Sequence, residues 1–334
     1  MGHNDDIFKD KIVLITGGTG SFGQKFTERL LTRHKLRKLI IFSRDEMKQF
    51  EMSMKYGMEK YGNIRYFIGD VRDPDRLHRA FQNVDIVVHA AALKIVPTAE
   101  YNPFEVVKTN VIGAENVINI AIDSGVKKVI ALSTDKAANP INLYGATKLC
   151  AEKMFIAANN YSPKGTRFSV VRYGNVFGSR GSVVPFFNEC KKNGVVPITD
   201  KRMTRFWITL EDGVDLVIRC IGDMRGGEVF VPKLPSMKII DLAKALAPKC
   251  KIKYIGIRPG EKLHETLIAP DDGKYTIQTK DRYITYPEVI YHNIRKIAGK
   301  RTPGSFEGYR SDNNDLWLSV DDLRKMMRRH ESSK

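Results

Sequence analysis

A short stretch near the middle of the chain carries an acid, an amine and a phenol at spacings that suit proton transfer. Asp135 and Lys136 are neighbours, and Tyr144 precedes Lys148 by four residues. On a helix, residues four apart share a face, so the Lys148 ammonium would favour the phenolate and lower the pKa of the Tyr144 phenol. A phenolate can take a proton from a sugar hydroxyl. Tyr-x-x-x-Lys alone is common in helices, so its weight comes from its surroundings.

The element before this stretch explains how it would be positioned. Residues 129–132 are apolar and predict a buried parallel strand, which Ser133 and Thr134 follow directly. The carboxyl ends of such strands are where open α/β folds bind ligands. In extended chain Asp135 and Lys136 would point to opposite sides. Two interpretations of the pair stay open: an acid and a base at a reaction centre, or an ordinary ion pair at a strand end.

A glycine-rich loop near the amino terminus predicts a dinucleotide site. An apolar strand at 11–15 runs into the loop and then into a helical pattern. Glycines spaced G-x-x-G-x-x-G permit a tight turn, close approach of a pyrophosphate and close packing of helix on strand, and the helix amino terminus stabilises the anion. The loop residues expected to contact the cofactor are Gly17, Thr19, Gly20, Ser21, Phe22 and Gly23.

The tip of the second predicted strand, at 38–42, favours NADP over NAD. Ser43 and Arg44 stand where an NAD site would place a carboxylate for the ribose 2′-hydroxyl, and Lys48 follows. A guanidinium suits a 2′-phosphate. In the alternative interpretation, Arg44 is a surface residue and Asp45 binds the ribose.

Further strand ends supply the rest of the predicted cofactor site. Asp70 is a candidate contact for the adenine amino group and Val71 for its ring face, while His89 has apolar neighbours and is interpreted as structural. Small residues after the fourth strand would let cofactor and backbone lie close together. These residues, with the strand-end serine, are Ala90, Ala91, Ala92 and Ser133.

Strands alternate with helical stretches, which predicts an α/β fold with a doubly wound parallel sheet of the Rossmann type and a smaller C-terminal α/β substrate lobe. We predict an NADP-binding domain made of residues 1–178 and 206–232. The substrate-binding domain would comprise 179–205 and 233–334, of which 271–334 reads as irregular and polar.

Composition limits the class of protein. The formal net charge is +17, but the basic clusters at 33–38 and 324–329 lack interleaved aromatics, so they indicate solvated helix ends more than a nucleic-acid site. The four cysteines are scattered, which argues against a zinc site or disulfide framework and suits a reducing cytosol. No apolar run approaches a signal core or the ~20 residues of a membrane span. We expect a cytoplasmic protein without bound metal, nucleic acid or membrane.

The glycine loop and the Tyr-x-x-x-Lys pair resemble the extended short-chain dehydrogenase/reductase superfamily. Longer strings are similar to the inverting UDP-N-acetylglucosamine 4,6-dehydratases, the type that starts pseudaminic acid synthesis. The resemblance covers roughly residues 10–270 and thins beyond. The strings are those at 89–94, 133–140, 172–176, 203–207 and 258–265.

This resemblance implies a reaction on UDP-N-acetylglucosamine. Tyr144, held by Lys148, would take the 4-hydroxyl proton while hydride passes to NADP+, and Thr134 would hydrogen-bond the reacting hydroxyl. Lys136, if neutral, would remove the C5 proton, and Asp135, if protonated, would donate to the departing 6-hydroxyl. Both protonation states oppose reference pKa values, so the site must shift them.

Substrate contacts and assembly are also carried over from the family. The sugar-nucleotide site would be lined by Lys94, Asn175, Val183, Val184, Pro185, Phe186 and Phe187. The diphosphate and ribose would meet Arg205, Arg258 and Glu261, although each arginine could equally form a surface ion pair. Relatives form dimers built into larger rings, so we expect a homo-oligomer.

One departure from the family pattern is Ile95, where a histidine is usual. It leaves the listed chemistry intact and puts in doubt any role of that imidazole. Three alternatives stay open: a C5-retaining dehydratase, a sugar-nucleotide 4-epimerase, which has no need of Asp135 and Lys136, and a non-catalytic NADP-binding regulator.

Overall fold

Seven parallel strands form the centre of the protein, in a computed structural model that describes residues 6–178, 183–288 and 299–331. The strands, in chain order, are β1 (Ile12–Thr16), β2 (Lys38–Ser43), β3 (Ile64–Ile68), β4 (Ile86–His89), β5 (Lys128–Thr134), β6 (Arg167–Tyr173), β7 (Asn175–Val176), β8 (Val195–Ile198), β9 (Thr204–Ile208), β10 (Val229–Pro232), β11 (Ser236–Lys238), β12 (Lys251–Tyr254), β13 (Thr266–Ile268), β14 (Thr276–Gln278), β15 (Arg282–Thr285), β16 (Lys300–Arg301) and β17 (Tyr309–Arg310).

Helices cover both faces of the central sheet or build the smaller lobe. The α-helices are α1 (Ser21–Arg33), α2 (Glu46–Lys55), α3 (Pro74–Ala80), α4 (Val96–Tyr101), α5 (Pro103–Val107), α6 (Gly113–Asp123), α7 (Leu143–Ala157), α8 (Val183–Cys190), α9 (Leu210–Asp223), α10 (Ile239–Leu246) and α11 (Val320–Glu331). A π-helix (Lys108–Ile112) joins α5 to α6, and a short 3-10 helix (Asp135–Ala137) follows β5.

The central sheet has the strand order β16-β14-β15-β10-β6-β5-β4-β1-β2-β3. From β3 to β10 neighbouring strands are parallel, as in doubly wound dinucleotide-binding folds. β1 is buried along its whole length because helices cover both faces, and its sequence is accordingly apolar. The predicted fold class is confirmed.

The far edge of the sheet differs from the prediction. β15 pairs antiparallel with β10, and β14 pairs antiparallel with β15, so residues from 276 to 285 extend the main sheet. The prediction that 271–334 is irregular is therefore wrong for these strands and for α11. The strands are three and four residues long, too short for an alternating pattern to stand out in the sequence.

A second core lies under the smaller lobe. It surrounds Trp207 and joins α8, β8 and α10, while Leu323 of α11 packs into it. β9 pairs there with β11 and β7 rather than with the main sheet. The division into two domains at particular residues stays a prediction. Within the described residues, no helix is long and apolar enough to cross a membrane.

Candidate active site

A cavity of about 720 Å³ opens along the carboxyl ends of the parallel strands. Every residue predicted from the sequence to contact the cofactor lines it. These are Gly17, Thr19, Gly20, Ser21, Phe22, Gly23, Ser43, Arg44, Lys48, Asp70, Val71, Ala90, Ala91, Ala92, Ser133, Tyr144 and Lys148. Thr134, Asp135 and Lys136 line the same cavity. The structure thus brings the glycine loop and the predicted reaction centre into one space.

The glycine loop fits a pyrophosphate. Gly17 has φ +65°, and a Cβ there would lie 2.8 Å from the Ala91 nitrogen, so only glycine allows the loop to lie this close to the end of β4. Gly20 stands at the N-cap of α1 without a side-chain cap, and the first turn of α1 carries no acidic residue. A helix amino terminus of this kind favours a bound anion.

The 3-10 helix after β5 and helix α7 hold the acid, the amine and the phenol. Asn142 caps α7 by accepting a 2.8 Å hydrogen bond from the Gly145 amide. A Cβ at Gly145 would lie 2.2 Å from the carbonyl oxygen of Lys136, so glycine lets α7 pack directly against the 3-10 helix. Tyr144 and Lys148 are both buried on α7, in agreement with the predicted shared helix.

Asp135 and Lys136 form an ion pair inside this site. The Lys136 ammonium donates to Asp135 Oδ1 at 3.0 Å, and the Thr134 hydroxyl donates to the same oxygen at 3.0 Å. Asp135 Oδ2 is buried and has no hydrogen-bond partner within the described part of the chain. The two side chains therefore meet, whereas extended chain would have directed them apart.

Burial sets the protonation of the acid and the phenol. It raises the pKa of Asp135, opposed by the Lys136 charge. Burial also raises the pKa of Tyr144 to about 12, although the Lys136 ammonium acts to lower it. This direction is opposite to the one predicted from the spacing of Tyr144 and Lys148, because desolvation of the phenolate outweighs the nearby positive charge.

The two lysines shift in opposite directions. Burial lowers the pKa of Lys148 to about 8, with the Glu152 carboxylate acting against it. Burial would lower the pKa of Lys136 too, but the carboxylates of Asp135 and Glu265 raise it above its usual value. The raised pKa of Asp135 agrees with the predicted acid form. The raised pKa of Lys136 disfavours the predicted neutral amine.

Behind the reaction centre lies a buried polar cluster that sequence reasoning missed. Ser133 donates from its hydroxyl to Glu152, and the Arg172 guanidinium binds the same carboxylate, with Nε 3.0 Å from Oε1. Asn110, in the π-helix, pairs with both backbone groups of Leu93 at 2.9 Å. These contacts fix β5, α7 and the loop after β4 relative to one another.

The predicted substrate contacts divide into two groups. Lys94 and Asn175 line the cavity, and Asn175 Oδ1 is buried without a partner among the described residues. Arg205 instead donates to the carbonyl oxygens of Thr204, Lys262 and Leu263. The others that do not line the cavity are Val183, Val184, Pro185, Phe186, Phe187, Arg258 and Glu261. Val184 and Phe187 belong to the second core.

His89 lies at the end of β4, buried, with Nδ1 2.9 Å from the Thr16 hydroxyl and its ring against Phe155. Burial lowers its pKa to about 3, so the imidazole is neutral at ordinary pH. This placement agrees with the structural interpretation of His89.

Comparisons with known proteins agree with the geometry of the site. A family described as "Polysaccharide biosynthesis protein" matches residues 13–287. Two Campylobacter jejuni proteins named UDP-N-acetylglucosamine 4,6-dehydratase (inverting) are 53% and 54% identical to this chain, over 97% and 95% of its length and 99% and 97% of theirs. A Rickettsia akari protein named UDP-glucose 4-epimerase is 41% identical over 96% of both chains.

Solved structures are similar to this chain as well. The X-ray structure of Pen from Bacillus thuringiensis has a TM-score of 0.88 and 39% identity, covering 96% of this chain and 99% of that one. DesIV from Streptomyces venezuelae, a dTDP-glucose 4,6-dehydratase solved with NAD and TYD bound, has a TM-score of 0.67 and 21% identity, covering 75% and 86% of the two chains. At that identity the second comparison shows the fold alone.

Proposed function

This chain belongs to the polysaccharide biosynthesis protein family, and within it to the inverting 4,6-dehydratases, and we propose that it removes water from UDP-N-acetylglucosamine with inversion at C5. The product would be UDP-2-acetamido-2,6-dideoxy-β-L-arabino-hex-4-ulose, which we assign to the first step of pseudaminic acid biosynthesis. The observation that carries the proposal is the contact of Asp135 with Lys136 in the cavity that also contains Tyr144.

The ion pair explains how two disfavoured protonation states can be reached together. Moving one proton along the 3.0 Å hydrogen bond from Lys136 Nζ to Asp135 Oδ1 turns ammonium and carboxylate into amine and acid. Because the pair shares a proton, its two members titrate as a unit. The raised pKa of Asp135, caused by burial, supports the acid form.

The side chains would then act in sequence. Tyr144, on the same helix as Lys148, would take the proton of the 4-hydroxyl once its phenol is ionised, a step that burial opposes and the Lys136 ammonium favours, and Thr134 would hydrogen-bond that hydroxyl. A nicotinamide held by the glycine loop would supply the hydride acceptor for C4 and the hydride donor for C6. Lys136 removes the C5 proton, which the new 4-ketone has acidified, and Asp135 donates a proton to the departing 6-hydroxyl. A proton from solvent, delivered to C5 from the opposite face, would invert that centre.

A nicotinamide nucleotide is the cofactor, and we propose that it is NADP. Asp45 caps α2 by accepting from the Lys48 amide at 3.0 Å and pairs with the Lys48 ammonium, so its carboxylate is already engaged. Arg44 is half-exposed at the cavity wall, with its guanidinium 3.5 Å from the Asp70 carboxylate, and a guanidinium at this place suits a 2′-phosphate. Ser43 hydrogen-bonds the Thr19 hydroxyl at 2.8 Å and brings no negative charge to this place.

A 4-epimerase is the second candidate, because relatives with that name share about two fifths of the sequence. An epimerase returns the hydride to C4 and requires no acid or base for C5 and C6. The buried Asp135–Lys136 pair therefore favours the dehydratase.

Incubation with UDP-N-acetylglucosamine in deuterated water separates the candidates by NMR of the product. We expect a 6-deoxy-4-keto sugar with deuterium at C5 and the L-arabino configuration. A D-xylo product would indicate a retaining dehydratase, a galacto sugar without deuterium would indicate the epimerase, and unreacted substrate with tight NADP binding would indicate a regulator.

We also propose a cytoplasmic homo-oligomer. Tyr101 and Phe104 are 87% and 78% exposed on adjacent helices, an apolar surface that a second copy of the chain could cover. The four cysteines are free thiols, in keeping with a reducing compartment. Light scattering of the purified protein tests the assembly, and a mass of 37.9 kDa would contradict it.

A further inference from the structure

A second buried carboxylate reaches the reaction centre from far along the chain. Glu265 Oε1 lies 3.2 Å from Lys136 Nζ, and the Glu265 residue is only 2% exposed. Its other oxygen, Oε2, is buried without a partner among the described residues. Glu265 ends the 258–265 string that resembles the dehydratases, but neither its residue type nor its spacing assigns it a role.

The backbone of Glu265 is fixed from the other side. Its amide donates to the Ser311 hydroxyl at 2.9 Å, and the Ser311 amide donates to the Glu265 carbonyl at 2.8 Å. The segment 258–265 is also tied to the catalytic stretch, because Lys262 Nζ donates to the Ala138 carbonyl at 2.7 Å. Glu265 therefore approaches Lys136 from a rigid support.

Asp135 and Glu265 share one ammonium but have different surroundings. Glu265 faces Arg205, whose Nε is 3.7 Å from Oε1, as well as Lys136 and Lys262. Asp135 has Lys136 as its one contacting cation within the described residues, and the Glu265 charge acts against its ionisation. The titratable and charged groups around the shared ammonium are Asp135, Tyr144, Arg205, Lys262 and Glu265.

These surroundings push the two carboxyl groups apart. The pKa of Glu265 is lowered, because the charges of Lys136 and Arg205 overcome the effect of burial. The pKa of Asp135 is raised by burial, and the neighbouring Glu265 charge adds to that rise. Paired carboxyl groups with separated pKa values commonly divide into a fixed charge and an acid.

We propose that Glu265 is a positioning residue for dehydration: its permanent carboxylate anchors Lys136 and retains the proton that Lys136 and Asp135 share. The inference rests on the proposed dehydratase function. In the elimination, the C5–H bond breaks and its proton passes to the Lys136 amine while a C5–C6 double bond forms. Asp135 gives its proton to O6 as the C6–O bond breaks and water leaves with the electron pair. The ammonium–carboxylate pair is then restored beside an unchanged Glu265.

The fully protonated pair, a Lys136 ammonium beside an Asp135 acid, loses two protons in succession as the pH rises. Loss of the Glu265 charge should lower the pKa of both steps. In the Glu265→Gln variant we expect both limbs of the pH–rate profile for dehydration to move to lower pH by about one unit or more, as for loss of a charge within contact distance. The KM for UDP-N-acetylglucosamine should change little. The pH profile for deuterium incorporation at C5 should shift by the same amount as the pH–rate profile for dehydration.

Two variants make the result specific. Glu265→Asp keeps the charge but withdraws it by one methylene, so its limbs should lie between those of wild type and Gln. Asp312→Asn removes a carboxylate that binds Arg310 on the neighbouring strand pair and does not contact Lys136, so its limbs should match wild type. If Glu265→Gln does not fold, the comparison of Glu265→Asp with wild type carries the test.

A uniform fall in rate with unmoved limbs, in Gln or in Asp, would reduce Glu265 to a structural anchor and overturn the inference. Failure of the proposed function is a separate result, because wild-type protein would then give no 6-deoxy-4-keto product at any pH.

Discussion

The side-chain amide of Asn142 donates a 2.8 Å hydrogen bond to the carbonyl oxygen of Gly260, and so joins the cap of α7 to the segment that carries Glu265. The same side chain accepts from the Gly145 amide. One residue therefore both begins the helix that bears Tyr144 and connects it to the C-terminal part of the site.

Replacing Asn142 with Ala should lower stability and activity together. Loss of the cap costs about 1 kcal/mol and loss of the bond to Gly260 about another 1 kcal/mol. Urea unfolding and kcat/KM measure the two effects. Asn142→Asp keeps the acceptor for the cap but not the donor for Gly260, so it should retain more of the stability than of the activity; equal recovery of both would contradict the connection.

Replacing Lys136 with Ala should stop elimination without weakening cofactor binding. The variant removes the amine that we propose takes the C5 proton, so no deuterium should enter C5 from deuterated water, while the Kd for NADP should stay at the wild-type value. Lys153→Ala, an exposed position on α7, is the matched control and should retain full turnover. Normal dehydration by the Lys136 variant would remove that residue from its role.

Replacing Arg44 with Ala should weaken NADP far more than NAD. A charge-assisted hydrogen bond to the 2′-phosphate contributes about 1.5–3 kcal/mol, or roughly 10- to 100-fold in Kd. Titration calorimetry with both nucleotides measures the difference. Arg72 also binds Asp70 but does not line the cavity, so Arg72→Ala should leave the preference intact. Equal loss for both nucleotides would assign Arg44 to another contact.

Burial of His89 should make the protein sensitive to acid. Its pKa is lowered from 6.5 to about 3 by burial and by the Lys148 charge, so the unfolded chain binds this proton first as pH falls. Stability should therefore decline between these values, by up to about 1.4 kcal/mol per pH unit from this group. In the His89→Gln variant the urea-unfolding midpoint should depend less on pH across that window. Replacement of the exposed His78 by Gln should leave the pH dependence unchanged.

Local sequence patterns were sufficient for the nucleotide half of the fold. The loop from Gly17 to Gly23 and the strand before Ser133 carry their signals within a few residues, and the structure places both at the cavity. Glu265 could not be found in this way, because its contact with Lys136 depends on how distant segments pack. Arg205 carries a charge suited to phosphate, yet packing turns its guanidinium toward backbone carbonyls.

Side-chain chemistry was harder to predict than position. The spacing of Tyr144 and Lys148 correctly indicated one helix, but the pKa of the phenol depends on how much water burial removes, and sequence spacing contains no measure of that. The pairing of Asp135 with Lys136 likewise depends on the turn into the 3-10 helix, which changes the direction of both side chains.

The antiparallel pairing of β15 with β10 has a consequence for how the chain folds during its synthesis. A ribosome releases the glycine loop early, but β10 keeps one bare edge until the residues of β15 emerge, and bare strand edges invite aggregation. Nascent chains arrested between Pro232 and Arg282 should therefore depend on chaperones, and nucleotide capture can precede completion of the reaction centre during translation.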